Sequence, residues 1–180
     1  MRFLCWFFIL AFSASGFDVE AQSRQSGNFT EGLAKYVQMR QAIESSVHAQ
    51  KPTNESEQIA DREHQLAGLL ADARRDARRG EIFTDDAEKE FHQIIRKAFK
   101  EPGGRAMRQT MRERDPVKRI VLKVNGIYPD NQPRTTMSPT LLNRLPALPK
   151  ELAYRVIGRA LVLQDTKTNL IVDFIRNAIP

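Results

Sequence analysis

The sequence predicts an α+β fold, with an N-terminal three-helix antiparallel unit followed by a small antiparallel β meander. Apolar residues recur at helical spacing from Leu33 to Phe99 within densely charged sequence. Past Asp115-Pro116 the composition turns to β-branched residues, Pro and Asn, and the chain closes on three short apolar runs separated by turn residues.

Leu33, Tyr36, Val37, Ile43 and Val47 place one apolar stripe on a first helix from about Phe29 to Ala49, which Lys51-Pro52 stops. Thr53 and Asn54 offer caps for a second helix, with Glu57 three residues after Asn54. Ile59, Leu66, Leu69, Leu70, Ala73 and Ala77 carry its stripe. Arg74, Arg75, Arg78 and Arg79 fall in its last turns, where the helix dipole favours cations, and Gly80 is placed as the terminating glycine. Thr84 caps a third helix with Asp85, Asp86 and Glu88 in its first turn. Ala87, Phe91, Ile94, Ile95, Ala98 and Phe99 form its buried face, and Pro102-Gly103-Gly104 ends it. Leu66, Leu70, Phe91 and Ile95 are expected to share a core. Gly104 to Arg114 allows a fourth short helix, in which Met107 and Met111 read as core and the arginines as a solvated face.

Val117 to Val124 has the β-branched richness of a strand, ended by Asn125-Gly126. Four prolines between 133 and 149 predict an irregular crossing held by Leu141, Leu142, Leu145 and Leu148. Residues 153–157, 160–164 and 169–175 then form the meander. Tyr154, Val156, Leu161, Leu163, Leu170, Val172 and Phe174 make its apolar face, and Arg155, Val162, Ile171 and Asp173 its mixed one. The helices are expected to cover the apolar face.

The first 21 residues read as a cleavable signal. Arg2 precedes an apolar run from Phe3 to Phe12, shorter than the roughly 20 residues that span a bilayer. Ala14-Ser15-Gly16 and Val19-Glu20-Ala21 both fit a cleavage site, and the second makes Gln22 the mature N-terminus. The domain reading is thus a signal over 1–21, a helical region over 22–115 and a small β region over 116–180 packed on the helices. The one cysteine, Cys5, lies in the signal, so the mature chain has no disulfide and no thiolate ligand. No second apolar run is long enough to span a membrane. The location implied is exported, in the periplasm or outside the cell.

Formal net charge is +6, and removal of Arg2, Asp18 and Glu20 with the signal raises it to +7. This basic balance favours an anionic envelope component as partner, alongside a protein partner. It does not define a fold.

Leu145-Pro146, Tyr154-Arg155, Gly158, Leu161, Leu163, Asp165, Thr168 and Leu170-Ile171-Val172-Asp173 resemble the C-terminal module of the periplasmic RcnB-like accessory proteins of nickel and cobalt efflux. The resemblance covers about 30 residues of turn and core positions and implies a small hairpin with a glycine turn. This chain lacks that family's aromatic enrichment before the hairpin and has no histidine within it. The second half as a whole is similar to exported bacterial proteins with a helical front, which bring no activity.

Asp61 and His64, three residues apart on a helix face, and His92 on the next helix are the candidate metal ligands, of a kind that suits nickel, cobalt, copper or zinc. No cofactor is implied. The chain has no Gly-x-Ser-x-Gly, Ser-x-x-Lys or His-Glu-x-x-His motif and no phosphate loop. Asp85 and Asp86 are accounted for by helix capping, while Asp165 and Asp173 read as a turn residue and a mixed-face strand residue. The function expected is non-catalytic, an exported envelope or secreted protein with a binding role. A metal-homeostasis accessory of the nickel and cobalt type is the alternative, and a hydrolase without a recognisable motif the second.

Overall fold

A computed structural model describes residues 17–48, 56–113, 121–129 and 137–180. The signal run with Cys5, the Lys51-Pro52 stop, the Thr53 and Asn54 caps and the first half of the expected Val117–Val124 strand lie outside them. The described elements are helices α1 (Phe17–His48), α2 (Ser56–Ala73), α3 (Asp85–Lys100), α4 (Gly104–Glu113) and α5 (Pro139–Leu142), then strands β1 (Leu152–Ile157), β2 (Ala160–Asp165) and β3 (Ile171–Ile175). The fold is α+β: helices in the N-terminal part, then one antiparallel sheet of order β1-β2-β3.

The first helix starts at Phe17, well before Phe29, and runs through the expected cleavage position. Its Ala, Glu, Gln and Arg are good helix formers. α2 ends at Ala73, four residues before Ala77, and its last turn carries no basic residue. Arg74 is the reason: it is buried and donates to the Val172 carbonyl (3.0 Å) and to Asn125 Oδ1 (3.0 Å), so a tertiary anchor stops the helix. Gly80, at φ +91°, belongs to the following loop. The stripe of α2 is also narrower than expected, since Ile59 and Leu69 are exposed while Leu66 and Leu70 are buried.

The third helix matches its expected start and end. Thr84 Oγ1 accepts from the Ala87 amide, and Ala87, Phe91, Ile95, Ala98 and Phe99 are buried. Gly104 is forced: a Cβ there would collide with the Phe99 backbone, so only glycine lets α4 leave α3 at so tight a corner. Met107 and Met111 then face the core.

One core joins the two halves. It contains Phe29, Leu33 and Tyr36 of α1, Phe91 and Ile95 of α3, both α4 methionines, and Leu161, Leu163 and Val172 of the sheet. Phe91 packs 5.0 Å from the Phe29 and Phe83 rings and 5.8 Å from that of Tyr154. Leu66 and Leu70 do not share it with Phe91 and Ile95; they form a separate cluster with Leu170, against which Met39 and Ile43 of α1 pack.

The meander forms as expected, with Gly158 at φ +58° in a two-residue turn. Its faces differ from strict alternation. Leu163 opposes Asp173 but Gln164 opposes Ile171, leaving Val172 as an extra residue. Each residue after such a bulge points to the other face. Phe174 therefore joins Val162 and Ile171 in a small outer cluster, instead of facing the helices, and Asp173 turns inward. Of the expected Val117–Val124 strand, residues 121–124 are irregular, with Leu122 and Val124 resting on that outer cluster. Asn125, at φ +62°, makes the turn that follows.

Candidate functional site

Two carboxylates at the inner face of the sheet are fully buried, and each accepts four hydrogen bonds. Asp173 takes the backbone amides of Gly80 (3.0 Å), Ile82 (2.9 Å), Phe83 (2.9 Å) and its neighbour Phe174 (2.8 Å). It thereby binds β3 to the loop between α2 and α3. Asp165 ends β2 and accepts from the Tyr36 hydroxyl (3.0 Å), Arg40 Nε (2.6 Å) and the amides of Lys167 (3.0 Å) and Thr168 (2.9 Å). It fastens the sheet to α1. Arg40 also pairs with Glu44, whose other oxygen takes Lys167 Nζ at 2.9 Å. Burial alone would raise the Glu44 carboxyl, but the hydrogen bond from Lys167 and the charges of Arg40 and Lys167 outweigh it and hold it below its ordinary value. Burial, then the charge of Asp165, pushes the Tyr36 hydroxyl far above its ordinary range, so it acts as a donor.

Between α1 and the loop after α2 lies a cleft of about 800 Å³ with Lys35, Tyr36, Arg74, Arg78 and Glu81 on its walls. Arg74 forms part of its floor, with its guanidinium 5.2 Å from the Tyr36 ring centre and 3.2 Å from Glu81. The polar groups of this floor are engaged with one another and with the sheet. Such a floor can shape a surface.

The metal candidates are dispersed. Asp61 and His64 are exposed on α2, and His64 Nδ1 lies 2.9 Å from the Ala60 carbonyl. His92, on α3, lies 3.7 Å from Glu88. Among the described residues no three His, Cys, Asp or Glu side chains gather into a metal site. Asp85 and Asp86 are exposed at the start of α3, with Asp86 paired to Lys89 at 3.0 Å.

The corner between α3 and α4 is different. Arg96, Lys97 and Lys100 share one exposed side of α3, at spacings of one, three and four residues, and Arg105 and Arg108 follow one helical turn apart on α4. Among the described residues none of the five pairs with a carboxylate. Arg108 is half-buried, its guanidinium 5.4 Å from the Phe99 ring centre, and its Nε is buried without a hydrogen-bond partner. Glu101 within the same corner is taken by Arg144.

No protein-family model, curated protein or solved structure matches this chain. The site rests on its own geometry. Reading the sequence missed the inward role of Asp165, Asp173, Arg40 and Arg74. One signal was present: Arg40 lies seven residues after Leu33, on the buried stripe itself, where a charge needs a buried partner.

Proposed function

We propose that the chain is an exported, non-catalytic envelope or secreted protein that works by binding, and that the α3–α4 corner is its contact to an anionic envelope component. The observation that carries this reading is that, among the described residues, Arg96, Lys97, Lys100, Arg105 and Arg108 pair with no carboxylate, while the buried Asp165 and Asp173 are both engaged. The apolar side of α4 is already in the core, so the corner meets a partner by charge and not by insertion. Electrostatic attraction of this kind amounts to about 1 kcal/mol for each Lys or Arg near an anionic bilayer and weakens with salt. The signal-like N-terminus supports export.

The test is sedimentation of the mature protein with vesicles containing phosphatidylglycerol, against neutral phosphatidylcholine vesicles. The reading expects binding to the anionic vesicles alone, lost in high salt and lost in the Lys97→Glu, Lys100→Glu, Arg105→Glu variant. Equal binding to both vesicles, or none to either, overturns it.

A further inference from the structure

Asn125-Gly126 is the one Asn-Gly pair of the chain. A glycine after asparagine sets no side chain beside its own amide nitrogen, so that nitrogen can reach the carboxamide carbon of the residue before it. Asn169 and Asn177 share the positive φ of Asn125 but precede Leu170 and Ala178, whose side chains hinder the same approach.

The fold ties down every group that such a ring closure uses. Asn125 Nδ2 donates to the Arg74 carbonyl (2.5 Å), and Asn125 Oδ1 accepts from the Arg74 guanidinium (3.0 Å). The Gly126 amide, the nucleophile, donates to the Lys123 carbonyl (3.0 Å). Arg74 is itself buried and bonded to the Val172 carbonyl (3.0 Å), so the carboxamide is clamped to a fixed anchor. The segment that carries Asn125 is held less firmly than its anchor. It is irregular, its Val121 and Ile127 are 87% and 51% exposed, and it meets the sheet through Asn125 to Ile171 (2.9 Å), Ile171 to Gly126 (2.8 Å) and Tyr128 to Asn169 (2.9 Å). Segments of this kind open locally at a smaller free-energy cost than the core. Asn125 is half-buried, so water reaches it once the clamp opens.

We infer that Asn125-Gly126 is a self-modifying site, released by local opening of residues 121–129, and that its product no longer ties this segment to α2 and β3. The Gly126 nitrogen attacks Asn125 Cγ. The N–Cγ bond forms, the Cγ–Nδ2 bond breaks, and Nδ2 leaves as ammonia with the proton from the Gly126 nitrogen. Water then opens the five-membered imide at either carbonyl, giving aspartate or isoaspartate. Both products lose the Nδ2 donor and set a carboxylate, which only accepts, against the Arg74 carbonyl. Isoaspartate also adds one methylene to the backbone, which moves the Gly126 carbonyl away from the Ile171 amide. The site is separate from the α3–α4 corner and does not depend on what that corner binds.

The test is peptide mass mapping of the mature protein held in mildly alkaline buffer, in a series of urea concentrations that ends beyond unfolding. Asn125 should gain the mass of an amide-to-acid exchange at least about tenfold faster in the unfolded chain than in the native one. Below the unfolding transition the native rate should be nearly flat in urea, because a local opening exposes little surface. Arg74→Met should raise the native rate, whereas Ile95→Ala, which weakens the α3 core at a fully buried site, should leave it near the parent's. In the deamidated protein, separated by ion exchange, the Ile171 and Tyr128 amides should lose their protection from hydrogen exchange. No deamidation at Asn125 in the native or the unfolded chain, equal rates in both, a native rate as steep in urea as global unfolding, equal acceleration by Ile95→Ala and Arg74→Met, or a product that keeps Ile171 protected would each overturn the inference. The urea series on the parent separates local from global release even where Arg74→Met does not fold.

Discussion

The inner face of the sheet and the α3–α4 corner handle charge in opposite ways. At the sheet, Asp165 and Asp173 are fully buried and each accepts four hydrogen bonds, while Arg40 and Arg74 are buried against them and against β3. At the corner, a turn through Gly104 brings five cations of α3 and α4 together, and among the described residues none of them pairs with a carboxylate, Glu101 being held by Arg144. Removing one member of a buried pair strands the other in a medium that solvates it poorly, whereas removing an exposed cation relieves repulsion. Buried charge here sets the fold, and exposed charge is available to a partner.

The sharpest way to break that contrast is Asp165→Ala. It leaves the Arg40 cation, 3% exposed, without its buried partner and should cost about 3–5 kcal/mol in urea unfolding. A loss below about 1 kcal/mol would show that water reaches the pair. Leu70→Ala tests the second cluster: the side chain is 0% exposed, and its loss should cost about 2–5 kcal/mol. Because Leu70 packs with Leu170 of the sheet region, calorimetry of the mature chain should show helices and sheet melting in a single transition, and two transitions would separate them. Gly104→Ala follows, with about 1–3 kcal/mol lost as α4 shifts away from Phe99, and the two methionines of α4 should gain exposure to oxidation.

The smallest effect concerns pH. Glu44 is held below its ordinary 4.5, so between its folded and unfolded values the unfolded chain binds more protons. Its contribution is complete above about 4.5 and is lost as pH falls through the lower, folded value. Glu44→Gln should remove part of the acid slope in stability and leave neutral stability within about 1 kcal/mol, since the group is a quarter exposed.

Much of this architecture is legible in the sequence because it is local. The Thr84 cap, the acidic first turn of α3, the Gly158 turn and the three apolar runs each depend on neighbours within a few residues. What is not legible depends on contacts distant in the chain. α2 stops at Ala73 because Arg74 reaches Val172, 98 residues away, and no pattern near Arg74 contains that information. Alternation along β3 put Phe174 inward and Asp173 outward. The extra residue at Val172 exchanges them, and with that exchange comes the Asp173 anchor on the 80–83 loop. For the candidate site, the arginines of the corner were visible as residues, but their lack of partners required the fold.

The most direct test of the contrast measures two properties on one variant. Lys97→Glu, Lys100→Glu, Arg105→Glu should lower anionic-vesicle binding at least about tenfold, given about 1 kcal/mol for each cation, while its unfolding free energy stays within about 1 kcal/mol of the parent's. Unchanged vesicle binding, or a stability loss as large as that of Asp165→Ala, would contradict the division between charge that builds the fold and charge that meets a partner.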